Sequence, residues 1–189
     1  MKILHVTDCY HGGVATAVEQ YARLLPDHSH LLLSNNARSS APPVPRSPGI
    51  FTVDRELPAS PLAAVRAVRD AVAELRPDVV HAHSSFAGVY VRLAAALDRM
   101  TPGRDTVPVV YTPHSFAFER ADIPAAQRRA FRLLEKMLYP LTTVGAPCAV
   151  WEGELMCGLG HGLPWTVPVT VVPNVLAEDP VSYTHLTLP

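Results

Sequence analysis

With 189 residues, the chain has room for one fully cored domain and not for two of ordinary size. Its 48% hydrophobic and 17% charged residues exclude a disordered chain, and a net charge of −1 excludes the basic surplus of a nucleic-acid-binding domain. Three scattered cysteines, Cys9, Cys148 and Cys157, make no disulfide framework and fit a reducing, cytoplasmic setting, and no apolar run reaches the ~18–20 residues of a membrane span.

Residues 3–7 read as a short buried strand that stops at Asp8, too short an apolar run for a signal peptide. A turn at Tyr10-His11-Gly12-Gly13 leads into a helix in which Val14, Val18, Tyr21, Ala22 and Leu25 recur at helical spacing, until Pro26 closes it. Residues 30–34 and 50–53 read as the second and third strands. Segment 41–48 between them is a loop, because its prolines lack a backbone donor and fix φ. Ser60-Pro61 then gives a cap and a proline at the first helical position; Val65, Val68, Val72 and Leu75 form the buried stripe of that helix, and Pro77 ends it. A fourth strand at 78–83 precedes a helix at 86–99, and a fifth at 108–112 precedes a helix at 124–139. A sixth strand at 142–146, a helix-like stretch through Met156 and a seventh strand at 167–172 complete the series.

Strands separated by helical crossovers predict an α/β fold, a Rossmann-like doubly wound parallel sheet with helices on both faces. The final stretch, Val181 to Pro189, resembles a translated sequencing adapter, against the alternative of a natural tail. On the adapter reading, residues 1–180 are one domain, 181–189 are a non-native tail, and the protein continues beyond them.

In an open parallel sheet, ligands bind beyond the carboxyl ends of the strands. Those ends carry Asp8 to Gly13, then His83, Ser84 and Ser85, then His114, Ser115 and Phe116, then Pro173 and Asn174. Gly12-Gly13 opens a helix whose free N–H groups suit a phosphate, or else it is a tight turn needing positive φ. The full G-x-G-x-x-G fingerprint is missing, which disfavours a nicotinamide enzyme. His114 sits in a loop after a β-branched strand, where an imidazole can serve sugar hydroxyls or a phosphate oxygen. Along the fourth strand, His81 and His83 are placed on opposite faces, His81 packed under a helix and His83 nearer the edge as the better site candidate.

Cys157 with His161, and Cys9 with His11, each lack a second pair at ligand spacing, so no metal site is expected; no G-x-S-x-G elbow occurs either. Arg128, Arg132 and Lys136 stand four apart with Arg129 beside them. That stripe reads either as a patch for anionic lipid headgroups, a peripheral membrane contact, or as a solvated helix face partly offset by Glu135.

The ordered set Gly12-Gly13, Pro77-Asp78-Val79-Val80-His81-Ala82-His83, Tyr111-Thr112-Pro113-His114 and Val171-Val172-Pro173-Asn174 resembles the retaining GT-B glycosyltransferases of family four. The resemblance implies one half of a GT-B architecture, in which an N-terminal Rossmann-like domain holds the glycosyl acceptor and a C-terminal domain binds the nucleotide-sugar donor. By the same resemblance Gly13 lies against the donor diphosphate, His114 contacts the transferred sugar as the catalytic residue, and Asn174 sits near the hinge; Gly12, His83 and Ser115, from their places beyond the strand ends, are the further candidates for donor or acceptor contact. It further implies transfer with retention and no metal ion or other cofactor. The sequence departs from the family at Val175 and Leu176, where a glycine is usual after the asparagine, and at residues 148–151, where a serine-bearing turn is usual. The basic pair and paired glutamates of the family's C-terminal domain have no counterpart, so the chain alone is expected to be inactive. Two alternatives stand beside this reading: an acceptor-binding subunit without its own catalysis, and a sugar-nucleotide epimerase.

Overall fold

A computed structural model describes residues 1–36, 44–104 and 106–174. Its centre is a parallel sheet of β1 (Lys2–Thr7), β2 (Ser29–Ser34), β3 (Val53–Glu56), β4 (Val79–His83), β5 (Val109–Thr112) and β6 (Val144–Gly145), in the order β3-β2-β1-β4-β5-β6. Four helices make crossovers, α1 (Gly12–Leu24), α2 (Pro61–Leu75), α3 (Ser85–Arg99) and α4 (Ala125–Leu138), and α5 (Val150–Leu159) follows β6. This is the Rossmann-like doubly wound architecture expected of one GT-B half. The strand order reverses between β1 and β4, so the crevice for ligands opens beyond Thr7 and His83.

Alternation along the strands makes the two faces chemically different. Leu4, Val6, Leu31, Leu33, Val80, Ala82, Val109 and Tyr111 point one way, into a core shared with α2 and α3. A fully buried Val or Leu there contributes about 1.5–3 kcal/mol relative to exposure. The opposite face carries His5, Thr7, His30, Ser34, His81, His83 and Thr112, covered by α1, whose Tyr21 ring stacks on His83 with centroids 5.8 Å apart. His81 and His83 therefore share a face, against the expectation that they would part: residues two apart on a strand point the same way, and their ring centroids are 3.9 Å apart. Their expected burial is reversed as well, His83 being fully buried and His81 half-buried.

Local signals explain the element boundaries. Pro61 opens α2 as expected, but Ser60 makes no side-chain cap; Arg76 ends the helix in the left-handed region with its N–H on the Val72 carbonyl. Ser84 caps α3, its Oγ accepting from the Ala87 N–H. Glycine at position 88 lets α3 lie close to β5, since a Cβ there would come within 2.5 Å of the Tyr111 ring. The third strand runs three residues later than expected, and the sixth shortens to Val144–Gly145. No seventh strand forms among the described residues: the 167–172 stretch contributes a single parallel bridge, Gly145 to Val169, with prolines at 168 and 173 restricting further pairing. Glu135, read as offsetting a basic surface, is instead buried: it takes the Arg92 guanidinium at 2.8 Å and the Tyr111 hydroxyl at 2.9 Å, tying α4 to α3 and β5. Residues 41–43 of the proline-rich loop, Val175, Leu176 and the 181–189 tail lie outside the described residues.

Candidate active site

At the crevice, the N-terminus of α1 faces the loops after β5 and β6 across a cavity of about 310 Å³. Its lining includes Gly13, His114, Ser115, Cys148, Trp151 and Asn174. Three of the four motifs in the sequence thus reach one hollow: the glycine pair through Gly13, the fifth-strand motif through His114 and Ser115, and the last through Asn174. His83 does not line it; it stands behind His114, its Nδ1 3.3 Å from His114 Nε2. Gly12, at φ 52°, turns the chain into α1, whose N-cap His11 makes no side-chain cap. A Cβ on Gly13 would meet nothing within 4 Å, so the first turn of α1 is bare toward the hollow.

Backbone strain gathers at this edge. Ser84, His114 and Ser115 have φ of 83°, 48° and 80°, a region that non-glycine residues rarely enter. Ser84 and Ser115 are each held by a buried carboxylate. The Ser84 hydroxyl donates to Asp8 Oδ1 at the end of β1. The Ser115 N–H donates to Glu152 Oε1, and Glu152 Oε2 accepts the Cys148 N–H at 2.8 Å. Asp8 and Glu152 are each 2% exposed.

Behind His114 runs a line of imidazoles. His30 Nε2 donates to the Leu25 carbonyl at 3.0 Å; His30 Nδ1 meets His5 Nε2 at 3.0 Å; His5 Nδ1 meets His83 Nε2 at 3.0 Å; His83 Nδ1 reaches His114. His114 Nδ1 then lies 3.3 Å from Cys148 Sγ. A carbonyl only accepts, so with neutral rings the direction of the whole line is set: each ring carries its hydrogen on Nε2, and the Cys148 thiol donates to His114. At four of the rings burial favours the neutral form, holding His5 down to about 3, His114 down to about 4, and His81 and His83 well below the usual imidazole range. Burial likewise pushes the Cys148 thiol up to about 11, so it is a hydrogen-bond donor and no nucleophilic thiolate at neutral pH.

Metal-ligating capacity sits where His81 stands beside this line, a grouping that sequence spacing does not offer. His5, His81 and His83 each bring a ring nitrogen within 4.8 Å of the other two. Cys157 is exposed, and Cys9 is half-buried. Three parts of this arrangement escape a reading by spacing: His5, Cys148 and Glu152. The signal for His5 lies in strand register, which pairs it with His81 across β1 and β4.

A second cavity, about 480 Å³, opens beyond β2 and β3 and is lined by polar groups including Ser34, Asn35, Arg46, Asp54 and Glu56. No helix among the described residues is long and apolar enough to cross a membrane.

Known proteins resemble this chain in sequence and fold. An uncharacterized 41.2 kDa protein in the cps region of Klebsiella pneumoniae is 26% identical over 188 residues, covering 95% of this chain and 48% of that protein. Solved structures share the fold. The lipopolysaccharide outer core galactosyltransferase WaaB has a TM-score of 0.60 at 13% identity, with 94% of this chain and 46% of that one covered. Anabaena HepE in complex with UDP has a TM-score of 0.59 at 14% identity, covering 93% and 44%. The UDP-GlcNAc 2-epimerase from Methanocaldococcus jannaschii has a TM-score of 0.56 at 11% identity, covering 92% and 46%. The chain thus spans about half the length of the proteins it matches. The model of the glycosyl transferase 4-like domain matches residues 12–175, from the glycine pair at the head of α1 to just past Asn174, and the chain belongs to that family.

Proposed function

We propose that this chain is the acceptor-side half of a retaining glycosyltransferase that takes a nucleotide-sugar donor, and that it transfers no sugar by itself. The observation that carries the reading is the hollow of about 310 Å³ in which the bare N-terminus of α1 faces His114, Ser115 and Asn174. Free N–H groups and the helix dipole at Gly13 suit the donor diphosphate. His114, fixed in orientation by His83, offers Nδ1 to a hydroxyl group of the transferred sugar when that hydroxyl takes the place of the Cys148 thiol. The likeness to HepE bound to UDP supports a uridine nucleotide as the first donor to try. The polar cavity beside Asn35 and Arg46 suits a hydroxyl-rich acceptor. On the outer face of α4, exposed Arg128, Arg129 and Lys136 stand beside Leu133 and Met137, a combination suited to an anionic membrane surface.

Ligand-observed NMR with UDP-glucose tests the donor assignment. Saturation is expected to pass from the chain to the hexose and ribose protons, and Gly13→Asp, which sets a carboxylate against the diphosphate, abolishes it. Absence of transfer at millimolar UDP-glucose, or transfer indifferent to Gly13→Asp, overturns the assignment. Flotation with phosphatidylglycerol vesicles, against phosphatidylcholine alone, tests the α4 face. The epimerase reading has the fold of the Methanocaldococcus jannaschii enzyme in its favour; conversion of UDP-GlcNAc with no acceptor present would establish it.

A further inference from the structure

We propose that His5, His81 and His83 form a three-imidazole site for a divalent transition metal, Zn(II) being the natural occupant. One ring nitrogen from each lies within 4.8 Å of the other two, and His5 Nδ1 and His83 Nε2 are already 3.0 Å apart. A tetrahedral ion with bonds of about 2.0–2.1 Å sets its nitrogens about 3.3 Å apart, so the widest gap closes by about 1.5 Å at most. β1 and β4 are hydrogen-bonded neighbours with His5 opposite His81 in register, so the sheet itself holds two of the ligands in place.

The outer nitrogens make the stronger case. A metal-bound histidine fixes its ring by donating the other N–H to an acceptor. All three have that partner. His5 Nε2 faces His30 Nδ1, and His30 is anchored on the Leu25 carbonyl. His81 Nε2 lies 2.8 Å from Thr112 Oγ1; that hydroxyl spends its own hydrogen on the Ala146 carbonyl, so it accepts from His81 and leaves the lone pair on Nδ1. His83 Nδ1 faces His114 Nε2. A metal takes imidazole in its neutral form. An all-imidazole set selects Zn(II), Co(II), Ni(II) or Cu(II) over Mg(II) or Ca(II), and leaves a fourth position for water or hydroxide. His81 is half-buried, and its ring lies 5.5 Å from that of half-buried Tyr21.

The site reaches the crevice through one proton shift. When the ion takes His83 Nε2, the hydrogen of His83 moves to Nδ1 and is donated to His114 Nε2. His114 then carries its own hydrogen on Nδ1, and Cys148 Sγ becomes the acceptor. No proton is gained or lost; a buried ion changes which face of His114 donates.

The chain, without a histidine tag and stripped by chelator, is titrated with Co(II) and read by visible absorption and equilibrium dialysis. One equivalent with four-coordinate bands, displaced by Zn(II), is expected, together with a rise in Tm. His81→Gln should weaken binding by at least 100-fold. Thr112→Val, which touches no metal, should weaken it by about 10–100-fold. His161→Gln and Cys157→Ser, at exposed positions, should leave it unchanged. Ring nitrogen-15 shifts of the wild-type chain should move at His5, His81, His83 and His114. No stoichiometric uptake by the wild type, uptake that leaves those ring shifts still, or uptake that survives His81→Gln overturns the proposal.

Discussion

Glu152 holds Cys148 in place: its Oε2 accepts the Cys148 backbone N–H at 2.8 Å, while Oε1 takes that of Ser115. One buried side chain in the first turn of α5 thereby fixes both loops that wall the crevice. The Glu152→Gln variant puts an amide donor where one of these N–H groups needs an acceptor. It should cost about 1–3 kcal/mol in urea unfolding, and backbone amide exchange should quicken at Ser115 and Cys148 ahead of the strands. Protection retained at both amides would show the carboxylate to be dispensable.

Arg92 and Glu135 form a buried ion pair at 2.8 Å, with the guanidinium 4.2 Å above the centroid of the Tyr111 ring. Removing one partner strands the other charge. Glu135→Leu should destabilise by about 3–5 kcal/mol, while Arg92→Met combined with Glu135→Leu should recover much of that loss. Chemical denaturation of the single and double variants reads the coupling directly.

Two glycines make opposite predictions. At Gly88 a methyl would come within 2.5 Å of the buried Tyr111 ring, so Gly88→Ala should cost about 1–3 kcal/mol. At Gly13 it would meet nothing within 4 Å, and Gly13→Ala should not lower Tm. It should still weaken binding of UDP-glucose by narrowing the approach to the α1 N-terminus. Thermal melts and ligand NMR of both variants separate packing from access.

Acid sensitivity should show at Glu19. Burial raises its pKa, but donors outweigh burial: Ser47 Oγ at 2.6 Å, Ser47 N–H at 3.0 Å and the Tyr10 hydroxyl at 2.9 Å leave the carboxyl lowered. A carboxyl lowered by folding stabilises the fold above its unfolded value, about 4.3, and loses that contribution as pH falls through the folded value. Ser47→Ala should therefore be less stable than wild type at neutral pH, with the difference shrinking below about pH 4. Urea midpoints across that range check the sign.

The main sheet was legible because β1, β2, β4 and β5 carry dense apolar runs bounded by turns, and apolar runs mark strands irrespective of partners. β3 was displaced since Val53–Glu56 is mostly exposed edge, where its pairing with β2, and not burial, sets its limits. The seventh strand failed on its prolines. At the site, Gly13 and His114 could be read because they follow β1 and β5, where topology brings them together; Asn174 reaches the same hollow although no strand precedes it. Glu135 and Glu152 could not. Each looks like a surface charge in sequence, and each is buried by a partner far along the chain, Arg92 in one case and the Ser115 backbone in the other.

The left-handed backbone at Ser84 and Ser115 has a kinetic consequence. Local sequence does not favour these turns; Asp8 and Glu152 impose them, and the partners lie 76 and 37 residues apart in the chain. They can close only after the strands have paired and α5 has docked. The crevice is therefore the last part of the fold to set. Substitutions there should leave the refolding rate nearly untouched and appear as faster unfolding.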